Sequence, residues 1–300
     1  ENGYKDRDAI GVTVASSAIG PVFPPSIPLL VFALVASVSG IKILLAGIIP
    51  GLIMAISLML IVAYFARKRN YPRGEIGLSR RKRLRIQLRG IPALVAPIIL
   101  LAGLFTGMYS PSELACVAVV YAAIVGIFFY RGLNKRTFYE AARETTGMIS
   151  NTLFILSAAT IFGFVLTVEQ VPQSLAAMIT GITTNPVLVI VLINILLLII
   201  GMVMETGAAI LIFTPLIMPV LTAIGIDPIQ IGIIVCLNLI IGFYTPPFGV
   251  CLFMASSMAK KPVEYVIKAV APYYVPLFIT LVLVSFIPQI SMWLPNLLMK

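Results

Sequence analysis

The chain has 300 residues, of which 60% are apolar and 11% charged, with a net charge of +10 and no histidine. A soluble domain carries about 25% charged residues, so this composition excludes a water-soluble fold and points to several membrane-crossing helices. The lack of histidine removes the usual general base and the commonest transition-metal ligand.

The first residues, ENGYKDRDAI, show neither an initiator Met nor a signal-peptide pattern, so the chain reads as truncated at its N-terminus. Residues 9–38 form an apolar stretch interrupted at Pro24-Pro25, and 41–66 is an uninterrupted span; together they make a first unit, 1–66. Residues 67–90 follow as a basic segment, because ten Lys and Arg fall between Arg67 and Arg89. The positive-inside rule makes this a cytoplasmic loop. Leu84, Ile86 and Leu88 would permit some contact with anionic lipid, but a solvated loop is the simpler reading, and the lack of interleaved stacking aromatics speaks against nucleic acid.

The second unit, 91–300, opens with two spans over 91–130, divided near residue 110, followed by an interfacial helix at 131–147 carrying Arg131, Lys135, Arg136 and Arg143. Residues 148–168 cross again. The stretch 186–222 then decides the topology. If its first half crossed fully, Lys260, Lys261 and Lys268 would end outside. If 186–204 and 208–222 are arms of a re-entrant hairpin with its tip at Glu205-Thr206-Gly207, those lysines are cytoplasmic and only Lys42 and Lys300 of the 21 basic residues lie outside. The hairpin is adopted on that charge distribution, and because a polar, irregular tip suits a protein-buried turn. A second broken helix, 229–259, interrupted at Pro246-Pro247, and a last span at 273–293 complete the chain. Cys116, Cys236 and Cys251 lie in apolar stretches at spacings that fit no metal site or disulfide framework, and read as packing residues.

Displacing the sequence by 222 residues lays GPVFPP (20–25) on GFYTPP (242–247), Gly3 on Gly225 and Pro50 on Pro272. With the hairpin in place the two broken helices run in opposite directions, which is the inverted repeat of many secondary transporters. The same logic expects roughly 130 residues upstream, including a first hairpin entered from the cytoplasm.

A proline inside a helix lacks an N–H and displaces the carbonyl four residues back. Pro24 and Pro25 thus release the carbonyls of Gly20 and Pro21, and Pro246 and Pro247 release those of Gly242 and Phe243. Sodium is the natural partner for such oxygens, while half-helix N-termini favour an anionic substrate group; plain kinks with locally re-satisfied backbone are the alternative. Hydroxyls gather around the breaks at Ser16, Ser17, Ser26 and Thr245, and in the facing hairpin at Thr206 and Thr214. Ser16, Ser17, Ser26 and Thr214 are the candidate substrate contacts, although membrane hydroxyls commonly bond their own backbone or join helices. Glu205, the acidic residue placed deepest in an apolar stretch, is a candidate for sodium support or titration, or else a tip residue at the water interface. No Lys or Arg lies deep in a span, so an anionic substrate would need co-bound sodium and helix dipoles for neutralisation.

ASSAIGPVFPPSIP (15–28), LLAGIIPG (44–51), METGAAILIFTPLIMP (204–219), GIDP (225–228) and GFYTPPFG (242–249) resemble the large membrane subunit of the tripartite ATP-independent periplasmic (TRAP) transporters. The resemblance implies an all-α, inverted-repeat, elevator-type secondary transporter of the bacterial inner membrane, with re-entrant helical hairpins and discontinuous transmembrane helices. It implies co-transported Na⁺, a small organic-acid substrate such as a C4-dicarboxylate, sialic acid or another sugar acid, a periplasmic substrate-binding protein and a small four-helix membrane subunit. It places one sodium site at Gly20, Phe23 and Pro25, and another at Gly242, Thr245 and Pro247 with Glu205 and Thr206 of the hairpin tip. The family commonly has Asp where Glu205 stands. A membrane enzyme is disfavoured by the lack of His, paired intramembrane carboxylates or a Gly-x-Ser-x-Gly motif. A channel or a cation/proton exchanger could use the same broken helices.

Overall fold

The computed structural model describes residues 5–69, 71, 80–106, 109–171, 174, 177–178, 181 and 185–299. Among these, all regular structure is helical. The chain divides into two compact units, Glu1–Pro72 with Leu156–Lys300, and Arg73–Ile155.

The first unit holds the two broken helices and the hairpin. Its early helices are α1 (Asp6–Ser17), α2 (Ile27–Val35) and α3 (Gly40–Lys68). The interrupted stretch 9–38 is therefore two half-helices with residues 18–26 between them. After residue 185 come α7 (Pro186–Val203), α8 (Thr206–Ala223), α9 (Pro228–Phe243), α10 (Val250–Ala259), α11 (Val263–Val270), a 3₁₀ turn (Ala271–Tyr273), α12 (Tyr274–Phe286) and α13 (Pro288–Leu298). The other unit contains α4 (Arg80–Thr106), α5 (Pro111–Ile124) running into a π-helical turn (Val125–Phe129), and the first part of α6 (Lys135–Val168).

Short polar residues start these helices. Ser26, Ser39, Asn185, Glu205 and Asp227 accept hydrogen bonds from first-turn amides of α2, α3, α7, α8 and α9. Pro186 and Pro228 stand directly after such caps, where the missing N–H costs nothing.

Three boundaries differ from the sequence reading. Residues 80–90, read as part of a loop, are the first turns of α4, whereas 70 and 72–79 lie outside the described residues. The interfacial helix at 131–147 and the span at 148–168 are one continuous helix from Lys135, in which no proline intervenes and the single Gly147 is tolerated. The last span does not reach 293. It ends at Phe286, because Ile287 takes the extended conformation imposed on a residue before proline and Pro288 starts a new helix.

The core of the first unit is α9. Every residue from Ile229 to Gly242 is buried, as expected of a helix apolar on all sides. It packs against α7, α8, α12, α3 and α2. On α7 the buried residues Val189, Ile193, Leu197 and Gly201 recur every four positions, while Leu188, Ile195, Ile199 and Val203 are exposed. One face is thus spent on α9 and the opposite face is apolar and open, as a lipid-facing helix requires.

Polar side chains fasten the same arm. Asn238 Nδ2 donates to Asn194 Oδ1 at 2.6 Å, and Asn194 Nδ2 donates to Ser285 Oγ at 3.1 Å. Gln230 Nε2 reaches the Val284 carbonyl at 3.1 Å. These bonds join α7, α9 and α12 through groups that could not be left unpaired in hydrocarbon.

At the far end of α1, Asp8 is buried and paired with Arg69 of the α3 terminus, Asp6 meets Lys261 at 2.8 Å, and Arg7 donates to the Lys268 carbonyl at 2.9 Å. The start of the first broken helix is therefore tied to the end of the second.

Among the described residues, five helical segments are long and apolar enough to cross a membrane: Gly40–Lys68, Ser112–Phe129, Pro186–Val203, Thr206–Ala223 and Val263–Phe286.

Candidate functional site

The two breaks solve one covalent problem in different ways. Each contains a cis peptide, at Pro24–Pro25 and Pro246–Pro247. In the first break the Ser26 hydroxyl donates to the carbonyl of Pro21 while its oxygen accepts from Leu29 N–H at 3.2 Å. One side chain thus satisfies a released carbonyl and caps α2. In the second break Thr245 N–H donates to the Gly242 carbonyl at 2.8 Å, and the Thr245 hydroxyl bonds the Ile241 carbonyl at 2.7 Å. Two of the four carbonyls expected to be free are therefore occupied by the protein itself. Those of Gly20 and Phe243 accept no hydrogen bond among the described residues.

Gly20 and Phe243 line one cavity of about 460 Å³. Pro21 and Pro25 of the first break share its wall with Glu205, Thr206 and Gly207 of the hairpin tip. Ile27, Pro28 and Val31 of α2, with Ile240 and Tyr244 at the end of α9, complete it. No Lys or Arg lines the cavity among the described residues.

Of the sequence-selected residues, Gly20, Pro25, Glu205 and Thr206 are brought together on this wall. Gly242, Phe23, Thr245, Pro247, Ser16, Ser17, Ser26 and Thr214 are not on it. Gly242 has a packing role visible in the structure: a Cβ there would stand 2.7 Å from the Leu198 carbonyl oxygen and 2.8 Å from Gly201 Cα. Hydrogen at this position lets α9 and α7 touch backbone to backbone. Phe23 lies over Gly51 of α3, where a Cβ would meet its ring at 2.9 Å. Ser16 bonds the Thr13 carbonyl at 3.1 Å within its own helix. Thr214 is buried, and its hydroxyl has no partner among the described residues.

Glu205 is exposed, and its two carboxylate oxygens accept from Gly207 N–H at 2.8 Å and Ala208 N–H at 2.9 Å. It therefore caps α8, placing a negative charge against the positive end of that helix.

The residues missed in the sequence are Tyr244, Gly201, Gly47 and Gly51. Tyr244 sits inside the GFYTPPFG motif but was passed over for the glycine, threonine and prolines around it. Gly47 and Gly51 on α3 show the small-xxx-small spacing that marks close helix contacts, and a Cβ at Gly47 would come 2.6 Å from the Val22 carbonyl oxygen. That spacing could have shown which helix holds the first break.

Broken apolar helices, a tight helical hairpin and a cavity where they meet define a multi-pass helical membrane protein with its site built from interrupted backbone. Residues 1–290 match the family described as tripartite ATP-independent periplasmic transporter, DctM component. The chain belongs to that family, which is one of inner-membrane transporter subunits and not of enzymes. It is 37% identical to the sialic acid TRAP transporter large permease protein SiaM of Vibrio cholerae, covering 98% of this chain and 69% of that protein. It is 37% identical to the isethionate TRAP transporter permease protein DctMQ of Oleidesulfovibrio alaskensis, again over 98% of this chain but 46% of that protein. To the C4-dicarboxylate TRAP transporter large permease protein DctM of Pseudomonas aeruginosa it is 35% identical, over 98% of this chain and 69% of that protein.

Proposed function

We propose that this chain forms the substrate-translocating core of a sodium-coupled importer of a small organic acid. The observation that carries the reading is the cavity in which Gly20 and Phe243, with their unclaimed carbonyls, meet the capped hairpin tip without any cationic side chain. Carbonyl oxygens suit a hard cation, and bound Na⁺ would supply the positive charge that an anionic substrate needs there. The N-terminus of α2 adds a partial positive charge on the same wall. The relatives named for sialic acid, isethionate and C4-dicarboxylates make an organic acid the substrate class.

Gly20, Phe23, Pro25, Glu205, Thr206, Gly242, Thr245 and Pro247 remain the proposed surroundings of the sodium ions. For Glu205 the contribution is indirect, through holding the tip in shape. Gly242 and Thr245 would act by fixing the second break, since their hydrogen-bonding groups already engage one another.

The re-entrant reading of α7 and α8 rests on the distribution of loop lysines. Each arm has 18 residues, about 27 Å at 1.5 Å per residue, which nearly matches a hydrocarbon core and so does not decide between hairpin and span. With the re-entrant hairpin, the two broken helices would form an inverted repeat, and the resemblance to the TRAP family supports an elevator movement of the site as the mode of transport. A periplasmic binding protein would deliver substrate, and a small four-helix subunit would brace the membrane assembly.

Uptake into proteoliposomes tests this reading. Organic-acid accumulation should require an inward sodium gradient and the cognate binding protein. Uptake that proceeds equally without sodium would overturn it. A cysteine at Lys260 should be labelled from the cytoplasmic side, and labelling from outside would refute the re-entrant hairpin.

A further inference from the structure

The Phe243 carbonyl is one of the two left open at the breaks, and the residue after it sets its direction. Phe243 and Tyr244 share a trans peptide, in which the N–H and the carbonyl point opposite ways. The Tyr244 N–H donates back to the Ile241 carbonyl at 3.1 Å. The Phe243 carbonyl is therefore turned off the end of α9, where a helix carries its partial negative charge. It can swing out of that direction only if Tyr244 moves.

Tyr244 is held at both ends by other helices. Tyr274, at the start of α12, donates its hydroxyl to the Tyr244 carbonyl at 2.7 Å. The Tyr244 phenol is hydrogen-bonded to the hydroxyl of Ser17, at the end of α1, at 3.1 Å, and Ser17 is bonded in turn to the Val14 carbonyl at 2.7 Å. The Cys251 thiol of α10 interacts with the same two hydroxyls. Tyr244 is 6% exposed, which leaves little water to stand in for a lost partner.

These tethers are not what ends α9. Thr245 N–H closes on the Gly242 carbonyl, and Pro246 and Pro247 have no N–H to continue the helix. At the repeat offset Phe243 corresponds to Pro21, whose carbonyl Ser26 takes, and Tyr244 corresponds to Val22. A side chain able to be tethered thus follows the carbonyl that stays open, and an apolar one follows the carbonyl that is claimed.

We infer that Tyr244, Ser17 and Tyr274 are positioning residues that aim the Phe243 carbonyl at a cation held at the break, so that α1 and α12 set the ion affinity of an oxygen carried by α9. The inference rests on the sodium reading above. The three act through the peptide between Phe243 and Tyr244, as outer hydrogen bonds orient the ligands of a metal site. Tyr244→Phe removes the bonds to both Ser17 and Cys251, Ser17→Ala removes one of them, and Tyr274→Phe frees the Tyr244 carbonyl. Because Ser17 acts only through Tyr244, the Ser17→Ala and Tyr244→Phe effects should not add, whereas Tyr274→Phe should add to either.

The test is equilibrium binding of ²²Na⁺ to the intact purified transporter, with displacement by Li⁺. Thermal unfolding in sodium-free choline chloride serves as the measure of stability. Tyr244→Phe and Tyr274→Phe should each raise the half-saturating sodium concentration about twofold to tenfold and change the ratio of lithium to sodium affinity. Ser17→Ala should do so less, Ser17→Thr should restore wild-type binding, and the Ser17→Ala, Tyr244→Phe double variant should match Tyr244→Phe alone. A purely structural role would lower the unfolding midpoint and the number of sites while leaving both half-saturations where they were, and that result would overturn the inference. So would Ser17→Ala and Tyr244→Phe effects that add. If one variant fails to fold, the remaining two hydroxyl positions decide. Wild-type protein without saturable sodium binding would sink the sodium reading and this inference together, whereas wild-type binding with unaltered variants would sink the inference alone.

Discussion

The two proline breaks share a glycine and a proline pair at the same spacing, in GPVFPP and GFYTPP, yet they are held by different means. The first spans residues 18–26 and is closed by a side chain, Ser26, and cradled by the glycines of α3. The second spans 244–249 and is closed by its own backbone through Thr245, with Gly242 pressed against Gly201. At the repeat offset Ser26 corresponds to Phe248, which cannot cap, and the second break has no side-chain cap for α10. The difference teaches that a shared proline motif specifies where a helix must stop, whereas the neighbours specify which released groups remain available.

Alanine substitution at the two glycines should separate the breaks most strongly. Gly242→Ala drives a Cβ into backbone atoms of α7 and should cost about 1–3 kcal/mol, read as a lowered thermal unfolding midpoint in detergent. A Cβ at Gly20 would have the Ser17 carbonyl oxygen at 3.8 Å as its neighbour. Gly20→Ala should therefore stay within about 0.5 kcal/mol of wild type. Equal damage at both positions would break the comparison.

The capping difference gives the next largest effect. Ser26→Ala removes the α2 cap and the donor to Pro21, and should cost about 1 kcal/mol. Thr245→Ala removes a hydroxyl that bonds its own helix and should cost less. A larger loss for Thr245 in the same unfolding measurement would mean that its hydroxyl does more than the Ile241 bond shows.

Thr214 sharpens the boundary of the site. Its hydroxyl is buried without a partner among the described residues, so Thr214→Val should be neutral or stabilise by up to about 1 kcal/mol. Uptake should be unchanged. Preserved stability with lost uptake would place Thr214 in the substrate surface after all.

The smallest effect concerns the tie between the outer ends of the breaks. Lys261 beside Asp6 holds the Asp6 carboxyl below the usual carboxylate range, and Asp6 raises the Lys261 ammonium. A lowered carboxyl stabilises above its unfolded value and loses that contribution as pH falls through its folded value; a raised ammonium loses its contribution as pH rises through its folded value. The pair's contribution should thus be flat between about pH 5 and 9, and any stability difference between wild type and Asp6→Asn should shrink below that window. Both groups are solvent-exposed, so added salt should shrink it as well.

Much of the architecture was legible before any coordinates. Apolar run lengths and paired prolines located α3, both broken helices and the two arms, whereas the caps at Asn185 and Asp227 were seen only in the structure. The last span was misplaced because Pro288 was not read as a helix start. Of the residues selected from the sequence, Gly20, Pro25, Glu205 and Thr206 meet on one cavity wall, while Tyr244 of the same wall was not selected, since nothing local marks a tyrosine whose partner lies 227 positions away.

The sequence by itself determined that the chain lives in a membrane, that its helices break at two proline pairs, and that carbonyls are released there. These follow from local covalent facts: a proline has no N–H wherever it stands, and apolar length is counted along the chain. Tertiary structure alone decided which released carbonyls stay open, because a lone pair is claimed only when packing brings a donor within about 3 Å. It gave Pro21 to Ser26 and Gly242 to Thr245, left Gly20 and Phe243 on a common cavity, and bonded Tyr244 of that cavity's wall to Ser17 of α1.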